Sequence, residues 1–269
     1  MLNSLWDNAQ LNSDSGEMSW EQFHESAKTG RYDPALSNEV VLAEMANLYE
    51  SLPYKNSVPI ALPTTLAPIA GTLADIVQAR VTPREIAPHP ISLIELRTVL
   101  HLAYGETRDN EGNPYAPRPF RTVPSGGALY PLELYFYHAG QIDGLAPGIY
   151  HYSPSLNALH LVKAGHYTQE IAAGLVEFQS HLADQLSMVI FITAMFQRSV
   201  FKYRNKGYRF TLFEAGHVAQ NINLAATGLG MGVINIGGFY DRKIDDLLGL
   251  DGINHSILYM NGLCRGAPR

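Results

Sequence analysis

The hydrophobic positions of this 269-residue chain form segments whose spacing alternates between helical and strand-like. The first 30 residues are polar, with apolar anchors only at Trp20 and Phe23. Ser37 is placed to cap a helix running to about Leu52, in which Val40, Val41, Leu42, Met45, Leu48 and Tyr49 line one side. Pro53, Pro59, Pro63 and Pro68 predict an extended connector over 53–70, followed by a short helix from Ala70 to Gln78. A second amphipathic helix opens near Ser92, carries Leu93, Leu96, Val99, Leu100 and Ala103, and ends at Gly105. Residues 106–127 form a long polar loop rich in Gly, Pro and Arg. Loops of that length in a compact domain are usually functional.

Strand-like runs follow at Leu132–Tyr137, Gly148–His151 and Ala158–Leu161, then a helix near Tyr167–Ser180 and a buried strand at Met188–Met195. The clearest element is a helix from Gly207 to Leu229. Tyr208, Leu212, Ala215, Ala219, Ile222, Ala226 and Leu229 make its seam, and after Arg209 its only formal charge is Glu214. A helix apolar nearly all round is expected at the centre of a domain or of a dimer. Gly228, Gly230 and Gly232 end it. A strand at Met231–Ile236, a short helix at Lys243–Leu248 and a last strand at Ser256–Asn261 complete the chain. The class is α+β, with helices surrounding one mixed or antiparallel sheet.

Composition narrows the function. Charged residues make up only 16%, against roughly 25% in an average soluble domain. Such a surface is expected to be covered in part by another subunit or a cofactor. A net charge of -6 argues against nucleic acid. The single Cys264 excludes a disulfide framework and a multi-thiolate site, and the histidines show no metal-binding spacing, so no metal is expected. Neither a signal peptide nor a membrane-spanning run is visible, which leaves a soluble cytoplasmic protein.

The glycines of GLGMGV have the wrong context for a dinucleotide fingerprint, because a helix precedes them and a strand follows. Pro124–Gly127, PSGG, ends the long loop; its backbone N–H groups suit close approach to a planar ligand or an anion, although an ordinary turn would read the same. Arg80, Thr82 and Arg84 place two guanidinium groups and a hydroxyl within five residues, suited to phosphate. Phe201–Arg209, FKYRNKGYR, is the densest basic patch. A lysine there, partly desolvated among cations, is a candidate base.

Four blocks together, RTVPSGGALYPLELYFY (Arg121–Tyr137), GIYHY (Gly148–Tyr152), FKYRNKGYRFTLFEAGHVAQNINLAATGLGMG (Phe201–Gly232) and IGGFYDRKIDDLLGLDG (Ile236–Gly252), resemble the SagB-type (azoline) dehydrogenases, a branch of the nitroreductase-like FMN-dependent superfamily. The resemblance spans residues 75–265. It implies a nitroreductase-like fold over 76–269 behind an N-terminal extension, 1–75, and an FMN-binding homodimer with flavin and the long helix at the subunit interface. By the same resemblance, Arg80, Thr82 and Arg84 hold the FMN phosphate, with Thr82 where the pattern has Ser. Pro124, Ser125, Gly126 and Gly127 lie against the isoalloxazine ring, Gly237 and Gly238 lie near the phosphate, and Lys202 and Tyr203 are the catalytic pair. Arg204 and Arg209 are phosphate or substrate-backbone contacts. The implied reaction oxidises a thiazoline or oxazoline in a ribosomally made peptide to the azole, beside a YcaO-type cyclodehydratase. Removing two electrons and two protons requires a base for the C–H proton and a flavin for the hydride. Two rival readings are an FMN oxidoreductase acting on a nitroaromatic, quinone or carrier-bound intermediate, and a flavin-free structural partner in a synthetase.

Overall fold

The computed structural model describes residues 19–48, 52–54, 56–110 and 118–266. Two helices come first, α1 (Trp20–Ser26) and α2 (Asn38–Asn47). Ser37 caps α2 as expected, its Oγ accepting from Val40 N at 3.4 Å. The helix stops at Leu48, earlier than the sequence implied, because the buried Arg118 guanidinium donates to the Met45 and Leu48 carbonyls. Tyr49, expected in that helix, lies outside the described residues. The proline-rich connector contains a short strand, β1 (Ile60–Ala61). Capping boxes set the starts of α3 (Leu73–Ala79), at Thr72 and Asp75, and α4 (Leu93–Tyr104), at Ser92 and Glu95.

The long loop folds into a small hairpin, β2 (Glu106–Arg108) against β3 (Phe120–Arg121), and a tight turn at Gly126–Ala128; residues 111–117 lie outside the description. Then come β4 (Leu132–His138), β5 (Gly148–Ser153) and β6 (Ala158–Ala164). The helix expected over Tyr167–Ser180 is shorter, α5 (Thr168–Gly174), because Leu175 turns extended and pairs with Phe239. After α6 (Leu182–Gln185) and β7 (Met188–Met195), a helix absent from the sequence reading, α7 (Gln197–Tyr203), leads into α8 (Asn205–Gly228). The chain ends in β8 (Met231–Ile236), α9 (Asp241–Leu248) and β9 (His255–Arg265).

Seven strands form one sheet in the order β1-β6-β5-β4-β7-β9-β8. Every pairing in it is antiparallel, which removes the mixed alternative. Strand alternation divides the core. Leu132, Leu134 and Phe136 face α4 and α8, while Tyr135 and Tyr137 face the layer of α5, α6 and α9.

The expected seam of α8 is buried at Ala215, Ala219, Ile222 and Ala226, together with Thr211, Glu214, Val218 and Ala225, but its N-terminal part departs from it: Leu212 is 40% exposed, beside Phe213 at 57%. Among the described residues no helix is long and apolar enough to cross a membrane.

Candidate active site

The turn before β4 is held in an uncommon backbone shape. Gly127, Ala128 and Tyr130 take φ values of 66°, 53° and 47°. Two of these are not glycine, so the surroundings must enforce the conformation. Ser125 Oγ accepts from Tyr130 N at 2.9 Å, Arg118 Nη1 donates to the Leu129 carbonyl at 3.0 Å, and Tyr130 Oη accepts from Arg121 N at 2.9 Å.

The end of α7 meets this turn. A Cβ on Gly127 would lie 2.7 Å from Tyr203 Oη and 2.9 Å from Lys202 Nζ; one on Gly126 would lie 3.1 Å from the Phe210 ring. A side chain at Gly127 would displace the amine and the phenol, and its φ of 66° favours glycine. The junction of α7 and α8 fixes the pair from behind. Arg204 takes φ 51° there. Gly207 packs against the Ser199 backbone, where a Cβ would come within 2.8 Å, and Ser199 Oγ donates to the Gly207 carbonyl at 3.1 Å. Two predicted groups of site residues, far apart in sequence, are thus in contact.

Beneath the turn lies Glu214, which the sequence reading noted only as a lone charge. Tyr104 Oη donates to its Oε1 at 2.7 Å, and the Ser125 side chain lies near it. Burial pushes this carboxyl up to about 7, against the opposing pull of Ser125, Tyr104 and Arg121. The Arg121 guanidinium lies 4.4 Å from the centre of the Tyr104 ring and 4.9 Å from that of Tyr130.

The N-terminal segment forms a wall beside the pair. Phe23 meets Tyr208 edge-on at 5.3 Å, and Val41 and Met45 pack with Leu129 against Phe201 and Tyr203. Between residues 26–41 and Lys202–Lys206 lies a cavity of about 440 Å³, within the size range of small-molecule sites.

Arg80, Thr82 and Arg84 lie elsewhere. Pro83 abuts Gly232 at the start of β8, as does the Arg265 carbonyl. Arg265, which closes the last strand, pairs with Met231 at the start of β8 and so lies at the same end of the sheet. Ile76 and Ala70 meet Gly228, the last residue of α8. Thr82 and Arg84 are exposed. Lys202, Tyr203, Arg204, Arg209 and Pro124–Gly127 gather at the opposite, N-terminal end of α8. That helix has 24 residues and is about 36 Å long at 1.5 Å per residue. Gly237 and Gly238 follow β8; Gly238 packs on Val176 and Gln179, while the side of Gly237 is open except for the Tyr259 ring at 4.0 Å. Among the described residues no group of three or more His, Cys, Asp or Glu side chains is placed to hold a metal ion.

Comparison with known proteins places this arrangement. MJ1384 of Methanocaldococcus jannaschii, named as a nitroreductase, is 35% identical over 65% of this chain and 83% of its own length. The trifolitoxin-processing protein TfxB of Rhizobium leguminosarum is 30% identical over 62% of this chain, and the microcin B17-processing protein McbC of Escherichia coli 31% over 49%. The chain spans about half the length of those two relatives, 46% and 49%. A nitroreductase-named crystal structure from Anabaena variabilis matches 89% of this chain and 50% of its own, with TM-score 0.65 and 23% identity. The E. coli microcin synthetase McbBCD, solved with truncated pro-MccB17, matches 93% of this chain and 92% of the chain compared, with TM-score 0.57 and 22% identity. The nitroreductase family model matches residues 77–263, and the chain belongs to that family.

Proposed function

We propose that this chain is an FMN-dependent dehydrogenase that oxidises a thiazoline or oxazoline ring in a ribosomally made peptide to the thiazole or oxazole. The observation that carries this reading is the meeting of Lys202 Nζ and Tyr203 Oη with Gly127. An amine and a phenol placed against a glycine turn suit a planar ring bound on that turn. Bound FMN would supply the two-electron acceptor. Lys202 takes the C–H proton, and Tyr203 donates a hydrogen bond to the heterocycle. The names of TfxB and McbC, both processing proteins of peptide products, favour a peptide substrate. The microcin synthetase complex favours work beside a YcaO-type cyclodehydratase.

The length of α8 favours a homodimer. Arg80, Arg84 and Arg265 suit a phosphate, and the turn suits a ring, but one flavin mononucleotide is far shorter than the helix between them. Two chains with their α8 helices antiparallel bring the phosphate end of one to the ring end of the other. The exposed apolar residues fit such an arrangement, with Leu212 and Phe213 near one end and Leu73, Val77 and Val81 near the other.

Lys202→Ala is expected to retain yellow, FMN-bound protein and to lower aromatisation at least about 100-fold. The readout is the 2 Da mass loss on an azoline peptide, and undiminished loss in that variant would remove the role of Lys202. The resemblance to MJ1384 favours a second reading, an FMN reductase of nitroaromatics or quinones. Rapid bleaching of the flavin on mixing with NADH, without azoline oxidation, would select it.

A further inference from the structure

Residues 26–41 lie before the nitroreductase match, which starts at residue 77, yet they build half of the cavity beside Lys202 and Tyr203. The loop between α1 and α2 is pinned at both ends to the start of α8 and the end of α7. Asn205 Nδ2 donates to the Ser26 carbonyl at 3.3 Å, and Val41 and Met45 pack with Leu129 against Phe201 and Tyr203. Within the loop, Asp33 Oδ2 accepts from Gly30 N at 2.7 Å.

The two sides of the cavity differ in chemistry. Pro34, Ala35, Leu36 and Val41 make the N-terminal wall apolar, whereas Lys202, Arg204 and Lys206 line the opposite side. Of the two charges on the loop side, Lys28 is paired with Glu25 and Asp33 is engaged by Gly30. Lys206 is half-buried, and among the described residues neither it nor Arg204 is in an ion pair. In a chain of net charge -6, uncompensated cations facing a cavity attract an anion, and a guanidinium suits a carboxylate. Lys202 is common to the cavity and to the glycine turn, so a chain lying in the cavity has its neighbouring ring at the turn.

We propose that this cavity is a substrate subsite: Pro34, Leu36 and Val41 cover the few residues adjoining the ring, and Arg204 and Lys206 take a carboxylate that this stretch carries. That the ring is an azoline rests on the dehydrogenase reading; the preference for a carboxylate rests on the cavity alone. The carboxylate is either an acidic side chain or a peptide C-terminus.

Calorimetric titration of the FMN-loaded full chain with three synthetic thiazole peptides tests this, because thiazoles bind without turning over. One carries Glu two positions from the ring and an amidated end, the second Gln in its place, and the third Gln with a free C-terminal carboxylate at that distance. The Glu or the free-carboxylate peptide should bind about tenfold tighter than the neutral one, the worth of one charge-assisted hydrogen bond. Whichever gains identifies the source. The gain should vanish in Arg204→Gln/Lys206→Gln with bound FMN retained. Leu36→Trp, at a position 39% exposed, should fill the cavity and weaken all three peptides about tenfold, again with FMN retained. Absent or equal binding of the three, a gain that survives the double variant, loss of FMN from that variant, or parent-like binding in Leu36→Trp overturns the subsite. The matching thiazoline peptides separate the two readings: a carboxylate preference without the 2 Da loss upholds the subsite and removes the dehydrogenase.

Discussion

Glu133 on β4 and Glu214 on α8 are equally buried, each 2% exposed, yet the first is held down to about 2 and the second is pushed up to about 7. Burial is the largest influence on both and raises both. What differs is the company. Glu133 has Arg198 Nη1 at 2.7 Å and His151 Nε2 at 2.6 Å, and together these outweigh desolvation. Glu214 has the Tyr104 hydroxyl in contact, the Ser125 side chain nearby and Arg121 as its cation, which is too little. The first region is a fixed charge pair that clamps α7, since Arg198 stands one helical turn before Lys202. The second is an adjustable proton beneath the turn that Lys202 touches. One carboxylate is held ionised by an ion pair, and the other is raised by burial toward neutrality.

The largest expected effect comes from breaking the clamp. Arg198→Met leaves Glu133 buried without its guanidinium and is expected to cost about 3–5 kcal/mol at neutral pH, read from urea denaturation. The sign with pH follows from the depressed value. Stability contributed by Glu133 is present above its unfolded value of 4.5 and lost as pH falls through about 2. The gap between Arg198→Met and the parent should therefore narrow in acid. Adding Glu133→Leu to Arg198→Met should restore most of the loss at neutral pH. A neutral single variant would mean that the two carboxylates are not held by different means.

Much of this was legible in the chain, though unevenly. The helix at 207–229, the strands and the PSGG and Lys-Tyr groups stand out because local spacing and residue type encode them. Glu214 was visible as the one charge in an apolar helix after Arg209, but its neighbours Tyr104 and Ser125 come from other segments. Glu133 lies in a strand whose alternation reads as ordinary, and only the fold brings Arg198 and His151 to it. The separation of Arg80–Arg84 from Lys202 was hidden too, because sequence order does not say which end of α8 a distant segment meets. The helix α7 escaped notice because it is short and merges with the basic patch. Leu212 was misplaced because the small residues of α8, rather than the large ones, make its closest packing.

A smaller effect separates the carboxylates at the other pH extreme. The native value of Glu214 near 7 stands above its unfolded value of 4.5. Its proton-linked stability is therefore full below 4.5 and lost as pH rises through about 7. The loss by about pH 9 is on the order of 3 kcal/mol. Glu214→Gln has no proton to lose, so its urea midpoint should gain on that of the parent as pH rises. A constant difference between the two from acid to alkaline pH would contradict the raised value.

The smallest change probes the hydroxyls alone. Tyr104→Phe deletes the donor to Glu214 Oε1 and the acceptor of Leu132 N, at a cost of about 1 kcal/mol. Because the Tyr104 hydrogen bond lowers the Glu214 value, its removal should move the midpoint of that carboxyl, read by infrared difference spectroscopy, to higher pH. Glu133, on the opposite face of the sheet and held by Arg198, should keep its place. A downward shift at Glu214 would mean that Tyr104 stabilises the protonated carboxyl. The contrast between a carboxylate set by an ion pair and one set by hydroxyls would then need a different cause.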